Sequence, residues 1–176
     1  MTNESQQAVV VYFSRIGENY AVGEITEGNT AKVAHAIAEQ VGASAIEIVP
    51  DRAYPDVYDA AIAQATRERN AAARPAFTLD GDAAALDTAT TVFLGYPIWW
   101  ADMPMPVYTF LESRDWRGVT IRPFCTHEGS GLADTAASIR DIAVGATVAD
   151  GLELRGATAQ HDAAAVAQVV TAWLNG

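Results

Sequence analysis

Apolar and polar positions along the chain fall into two alternating rhythms. Ala8 to Phe13 (Ala-Val-Val-Val-Tyr-Phe) is a continuous apolar run rich in β-branched and aromatic residues, the pattern of a strand covered on both faces. From Thr30 to Val41 the apolar residues Val33, Ala34, Ile37, Ala38 and Val41 recur at three- and four-residue steps, and Gly42 follows; this predicts a helix with a glycine stop. Ala45 to Val49 alternates and then meets Pro50, as a short strand near a sheet edge does. Asp56 to Ala73 is alanine-rich and stops before Pro75. It predicts a long helix with Val57, Ala60, Ala61 and Ala65 on one side and a solvated Arg67-Glu68-Arg69 face.

Thr91–Gly95 and Val119–Cys125 supply two further strands, separated by a helix from Pro104 to Glu112. Pro123 interrupts the second of them and, lacking an amide proton, predicts a bulge or a missing ladder bond. Leu132 to Ala143 has helical periodicity, Ala146 to Leu154 contains the last strand, and Asp162 to Leu174 is a closing amphipathic helix. Strand and helix signals alternating along the whole chain predict one doubly wound α/β domain over 1–176, with a five-stranded parallel sheet between two helical layers. Ligands of such sheets sit beyond the carboxyl ends of the strands, which directs attention to the loops after the first, third and fourth strands.

Composition narrows the function. The 176 residues are half apolar, so a sizeable core is available. Eleven basic against 22 acidic residues give a net charge of −11, which disfavours nucleic acid and anionic membrane and favours a partner with a basic face. A single cysteine, Cys125, excludes an internal disulfide, and no Cys or His spacing suits a structural metal. The polar start Met1–Gln7 lacks the basic region of a secretory signal, and no segment reaches the roughly 18 apolar residues needed to span a bilayer, so the expected location is cytoplasmic.

The first loop begins Ser14-Arg15-Ile16-Gly17-Glu18-Asn19-Tyr20 and ends Gly28-Asn29-Thr30-Ala31 at the start of the first helix. Hydroxyls, bare amides and the positive end of a helix dipole together suit a phosphate, although the same residues also make an ordinary capped helix. The second loop, Gly95-Tyr96-Pro97-Ile98-Trp99-Trp100-Ala101-Asp102, places adjacent tryptophans where one can stack on a planar ligand and the other can seal the core. The third, Thr126-His127-Glu128-Gly129-Ser130-Gly131, offers amides and an imidazole to ligand heteroatoms. A phosphate cradle, an aromatic plate and an amide-rich rim describe a pocket for a phosphorylated heteroaromatic, and flavin mononucleotide (FMN) is such a molecule.

In these motifs the chain resembles the flavodoxins, particularly bacterial flavodoxin-like proteins with a Gly-Tyr-Pro-Ile-Trp-Trp loop and a Cys-Thr-His-Glu-Gly-Ser-Gly loop. The resemblance spans essentially the whole chain and implies strand order 2-1-3-4-5, with FMN between strands one and three; flavodoxin is the standing example of that rule. It implies phosphate binding by Ser14, Arg15, Asn29, Thr30 and Ala31. It implies ring contacts from Pro97, Ile98, Trp99 and Trp100, and pyrimidine-edge contacts from Thr126, His127, Gly129 and Ser130; of the two tryptophans Trp99 is the expected plate, with Trp100 as the alternative. Two departures stand out. Residues 16–27 are an insertion in the phosphate loop, expected to project as a lid or docking loop with Tyr20 near the ligand, and the third loop carries Leu132 and Ala133 where many flavodoxins have a second aromatic. The implied role is electron transfer through FMN, without a catalytic side chain or metal, to a redox partner with a basic docking face or to a small planar acceptor. The alternatives are an NAD(P)H-dependent quinone or flavin reductase and a flavin-free scaffold.

Overall fold

The computed structural model describes residues 7–176; the start of the chain on which the export reading rests, residues 1–6, lies outside them. The elements are β1 (Ala8–Tyr12), β2 (Gly17–Asn19), β3 (Gly23–Ile25), α1 (Asn29–Val41), β4 (Ser44–Pro50), α2 (Tyr58–Asn70) and β5 (Phe77–Asp80). After a 3₁₀ turn at Ala83–Asp87 come β6 (Thr91–Pro97), α3 (Met105–Glu112), β7 (Thr120–His127) and α4 (Thr135–Ile142). The chain closes with β8 (Thr147–Val148), β9 (Leu152–Arg155), α5 (Gly156–His161) and α6 (Ala163–Asn175). The main sheet runs β5-β4-β1-β6-β7-β8, with β9 also pairing β7.

The expected five-stranded parallel sheet is therefore a seven-stranded mixed one, for two physical reasons. First, Phe77-Thr78-Leu79-Asp80 adds an antiparallel edge to β4, with Phe77 and Leu79 turned onto the core. Second, the last strand is split. Pro123 has no N–H, and in a parallel strand its carbonyl and missing amide face the same neighbour as those of Ile121. Ile121 accepts from Ala149 N at 2.9 Å, so the fault at Pro123 faces the gap between β8 and β9. Pairing of β7 with β6 runs unbroken past Pro123.

The continuous run of β1 explains the two cores. Alternation sends Val9, Val11 and Phe13 to one face, with Val92, Leu94, Ile121, Val107, Phe110 and Ile139. It sends Val10 and Tyr12 to the other, with Val33, Ala34, Ile37, Val166 and Val170 of α1 and α6. Helix α2 differs from its expectation: Val57 and Ala60 are exposed, and Ala61 and Gln64 form the buried side. Its Glu68 is not simply solvated, because it accepts from the Tyr54 hydroxyl and from Gln64 Nε2. Segment 16–27 folds into the antiparallel β2–β3 hairpin.

Candidate functional site

Gly28, Asn29 and Thr30 start α1 directly beneath the end of β1. A Cβ at Gly28 would run into Ser14 Oγ and lie 2.8 Å from the Arg15 carbonyl, so only glycine lets the loop close this tightly. Ser14 Oγ accepts from Ala31 N at 3.1 Å and keeps its own proton to donate. The Asn29 and Thr30 amides head a 13-residue helix with no acidic side chain in its first turn, and neither finds an acceptor among the described residues. This end of α1 is electrically positive and open to an anion.

Not every residue expected at the phosphate stands there. Arg15 is buried, and its guanidinium is committed elsewhere: to Glu18 O at 2.5 Å, Pro55 O at 2.6 Å and Asp56 O at 2.9 Å. It ties the hairpin to the segment before α2, and only its backbone borders the cradle. Desolvation is the main effect on this guanidinium and lowers its pKa, opposed by Asp56 and Glu18. The Thr30 hydroxyl is also turned inward, paired at 2.8 Å with the Thr126 hydroxyl of the third loop.

The loops after β6 and β7 are stapled to each other, since Ile98 N donates to Thr126 O at 2.9 Å and Pro97 is in register with Thr126. Trp99 and Asp102 exchange backbone hydrogen bonds of 2.8 and 3.1 Å across Trp100 and Ala101, whose φ values are +57° and +59°. Two successive positive φ angles make this a type I′ turn, normally the place of Asn-Gly. Asp102 Oδ1 secures it by accepting from Met103 N and from Tyr108 OH, both at 2.7 Å. Burial, then that bond, raises the Tyr108 hydroxyl to about 12.

The turn separates the tryptophans. Trp99 packs edge-to-face against Phe13 and Tyr54, with ring centroids 5.4 and 5.0 Å away, so this expected plate belongs largely to the core. Trp100 is 50% exposed and presents an indole to solvent. Tyr20, expected near the ligand, stacks obliquely on Tyr58 at 6.3 Å and is exposed.

In the third loop, His127 Nδ1 accepts from Gly129 N at 2.9 Å and Gly131 N at 3.1 Å. Nδ1 is therefore unprotonated and the neutral ring carries its proton on Nε2. These two amides are consumed within the turn and do not form part of an amide rim; Ser130 is exposed between them. Cys125 beneath is fully buried, and burial, then Glu153, pushes its thiol to about 12, which makes it a packing group. Sequence reasoning gave Glu128 and Gly156 no role, yet both meet Asn29 here. A Cβ at Gly156 would collide with Asn29 Nδ2 and Glu128 Oε1, while Asn29 Oδ1 and Glu128 Oε1 are buried acceptors without a donor. The motif contained Glu128, but the contact with Asn29 and Gly156 spans too much sequence to be read from it.

These features fit FMN. The open α1 amides and the Ser14 hydroxyl suit its phosphate, and the donorless acceptors suit the hydroxyl-bearing ribityl chain. The exposed indole of Trp100 suits a flat ring. The flavodoxin family model matches residues 9–172, and the chain belongs to that family. Among solved structures it is similar to candidate flavoproteins of Bacteroides eggerthii and Bacteroides uniformis. Identity to the first is 26% with a TM-score of 0.73, over 96% of this chain and 95% of that one. For the second the values are 27%, 0.72, 96% and 97%. A Lactobacillus acidophilus flavoprotein solved in complex with FMN shares the fold at 16% identity and a TM-score of 0.64, over 84% of this chain and 93% of that one. No curated protein matches the chain.

Proposed function

We propose that this flavodoxin-family chain binds FMN at the carboxyl ends of β1, β6 and β7 and transfers electrons through it. The observation that carries this reading is the stapling of the three loops, by the Thr30–Thr126 hydroxyl pair and the Ile98–Thr126 backbone bond, around an open helix N-terminus. When bound, the flavin supplies the redox chemistry. Ser14 and the Asn29, Thr30 and Ala31 segment hold the phosphate, with Ala31 N fixing Ser14 Oγ in place. Asn29 Oδ1 and Glu128 Oε1 accept from ribityl hydroxyls after a small side-chain adjustment. Pro97, Ile98 and Trp100 face the ring, and Trp99 supports them from the core side. Thr126, His127, Gly129 and Ser130 border the pyrimidine edge, where the His127 Nε2 proton is available to donate.

A second aromatic is missing from Gly131-Leu132-Ala133, which favours a second reading in which NAD(P)H or a planar acceptor reaches the uncovered ring face. Titration of the chain into FMN, followed by flavin fluorescence, tests the main reading. Saturable quenching at one flavin per chain is expected, and unquenched fluorescence at high protein concentration overturns it. Adding NADPH to the yellow complex separates carrier from reductase: persistent colour without a partner reductase supports the carrier, and rapid bleaching supports the enzyme.

A further inference from the structure

Segment 16–27, inserted after the carboxyl end of β1, lies as the β2–β3 hairpin against the start of α2. It is fastened there. Glu18 N donates to Asp56 O at 2.8 Å, Tyr58 N donates to Glu18 Oε2 at 3.0 Å, and Arg15 beneath holds carbonyls of both segments. A Cβ at Gly17 would lie 2.8 Å from Asp56 Cα, so the two segments touch along a close seam. Three large apolar side chains flank it: Ile16 beside Gly17, Val57 beside Asp56, and Tyr20 with its ring on Tyr58; they are 54, 59 and 63% exposed. One exposed apolar residue is ordinary, but three along one seam make a patch.

Charge of one sign surrounds the patch. Residues 16–27 contain Glu18, Glu24 and Glu27 and no basic residue, and residues 53–66 add Asp56 and Asp59, again with no basic residue. A second copy of this chain, itself of net charge −11, would set these carboxylates against one another, so the patch is not self-complementary. An apolar centre inside a charged rim is the build of a protein interface, and the rim selects a partner of opposite sign. We propose that the hairpin–α2 seam is the docking surface for an electron-exchanging protein whose contact face has an apolar centre ringed by Lys and Arg. Ile16, Tyr20 and Val57 supply the apolar contact, and Glu18, Glu24, Asp56 and Asp59 supply attraction and orientation. Because Arg15 already holds the hairpin, docking does not have to order it. This inference rests on the flavin reading: Asn19 and Tyr58 of the seam share a cavity wall with Trp100, which brings the partner to the hairpin side of the proposed ring site, away from the third loop.

The test uses the full ¹⁵N-labelled chain, with and without FMN, and cytochrome c, a basic haem protein whose exposed haem edge is ringed by lysines, as the probe. At low salt, saturable amide shifts centred on residues 16–24 and 56–59 are expected in both forms. Ile16→Ser with Val57→Ser, and separately Glu24→Lys with Asp59→Lys, are each expected to weaken cytochrome c binding about tenfold. Both pairs are expected to slow reduction of ferric cytochrome c by the dithionite-reduced, FMN-loaded chain in step, while the circular dichroism spectrum and FMN quenching persist. Asp134→Lys with Asp141→Lys makes the same change of net charge beside the third loop and on α4, and is expected to alter binding by less than about threefold. An equal loss from that pair, unchanged affinity in the serine pair, shifts centred on the third loop, or weakened binding without slower electron transfer each overturns the proposal. FMN quenching is measured separately: its absence with the hairpin shifts intact fails the flavin reading and leaves the docking surface standing.

Discussion

Trp99 and Trp100 are neighbours in sequence with opposite surroundings, and substitution separates them. Trp99→Ala removes a ring from the Phe13–Tyr54 cluster and is expected to cost about 3 kcal/mol of stability, measured by urea denaturation. Trp100→Ala is expected to leave the urea midpoint nearly unchanged and to weaken FMN binding by about 1–3 kcal/mol, read by fluorescence titration. The reverse pattern makes Trp99 the plate. The same turn holds Ala101 at φ +59°, where an L side chain is strained by roughly 1 kcal/mol. Ala101→Gly is therefore expected to stabilise the protein by about 0.5 kcal/mol, after the extra entropy of glycine in the unfolded chain is subtracted. A lower urea midpoint counts against this turn geometry. Ser14 and Thr30 stand out in the sequence because a hydroxyl and a Gly-Asn-Thr start are local signals. The inward pairing of Thr30 with Thr126, 96 positions on, has no local signal at all.

At the scale of elements, the edge of the sheet carries a liability. Glu47 of β4 stands opposite Asp80 of β5, and burial, reinforced by Asp80, raises the Glu47 pKa. A carboxyl group raised in the folded state favours folding when protonated, so its stabilising contribution is present below the unfolded value and is lost as pH rises through the folded value. Glu47→Gln is expected to raise stability at pH 7 by about 0.5 kcal/mol, with the gain shrinking as pH falls through the raised folded value and levelling off below the ordinary glutamate value. Urea curves at both pH values check the sign, and a gain that grows toward acid refutes it. β5 itself was hard to read, because four alternating residues between a helix and a 3₁₀ turn resemble a loop until β4 pairs with them. The β2–β3 hairpin was hidden for a related reason: Gly-Glu-Asn and Gly-Glu-Ile lack a run of β-branched or aromatic residues, and Arg15 anchors the segment through backbone carbonyls. Pro123 did announce a fault in β7, whereas the partner that breaks there became visible only with β8 and β9 in place.

For the whole molecule, a net charge of −11 acts over distances longer than any single contact. No helix among the described residues is long and apolar enough to cross a membrane. Association with a redox partner bearing a basic face is expected to slow steeply as salt rises, because the Debye length shrinks from about 10 Å at 0.1 M to about 3 Å at 1 M. Stopped-flow reduction by a cationic and a neutral electron donor across that range measures the effect: only the cationic donor slows. Equal salt dependence for the two removes long-range attraction as the cause.

Sequence alone determined the alternating strand–helix plan, the two-faced burial of β1, the flavodoxin-like loops and the acidic surface, since each depends on residue type or short-range periodicity. Tertiary structure decided which tryptophan is exposed, that Arg15 holds the hairpin, that Asn29 and Glu128 meet beside Gly156, and that the sheet gains an antiparallel edge. Those outcomes depend on the directions of side chains and on free backbone groups brought together from distant positions, and a one-dimensional pattern carries neither.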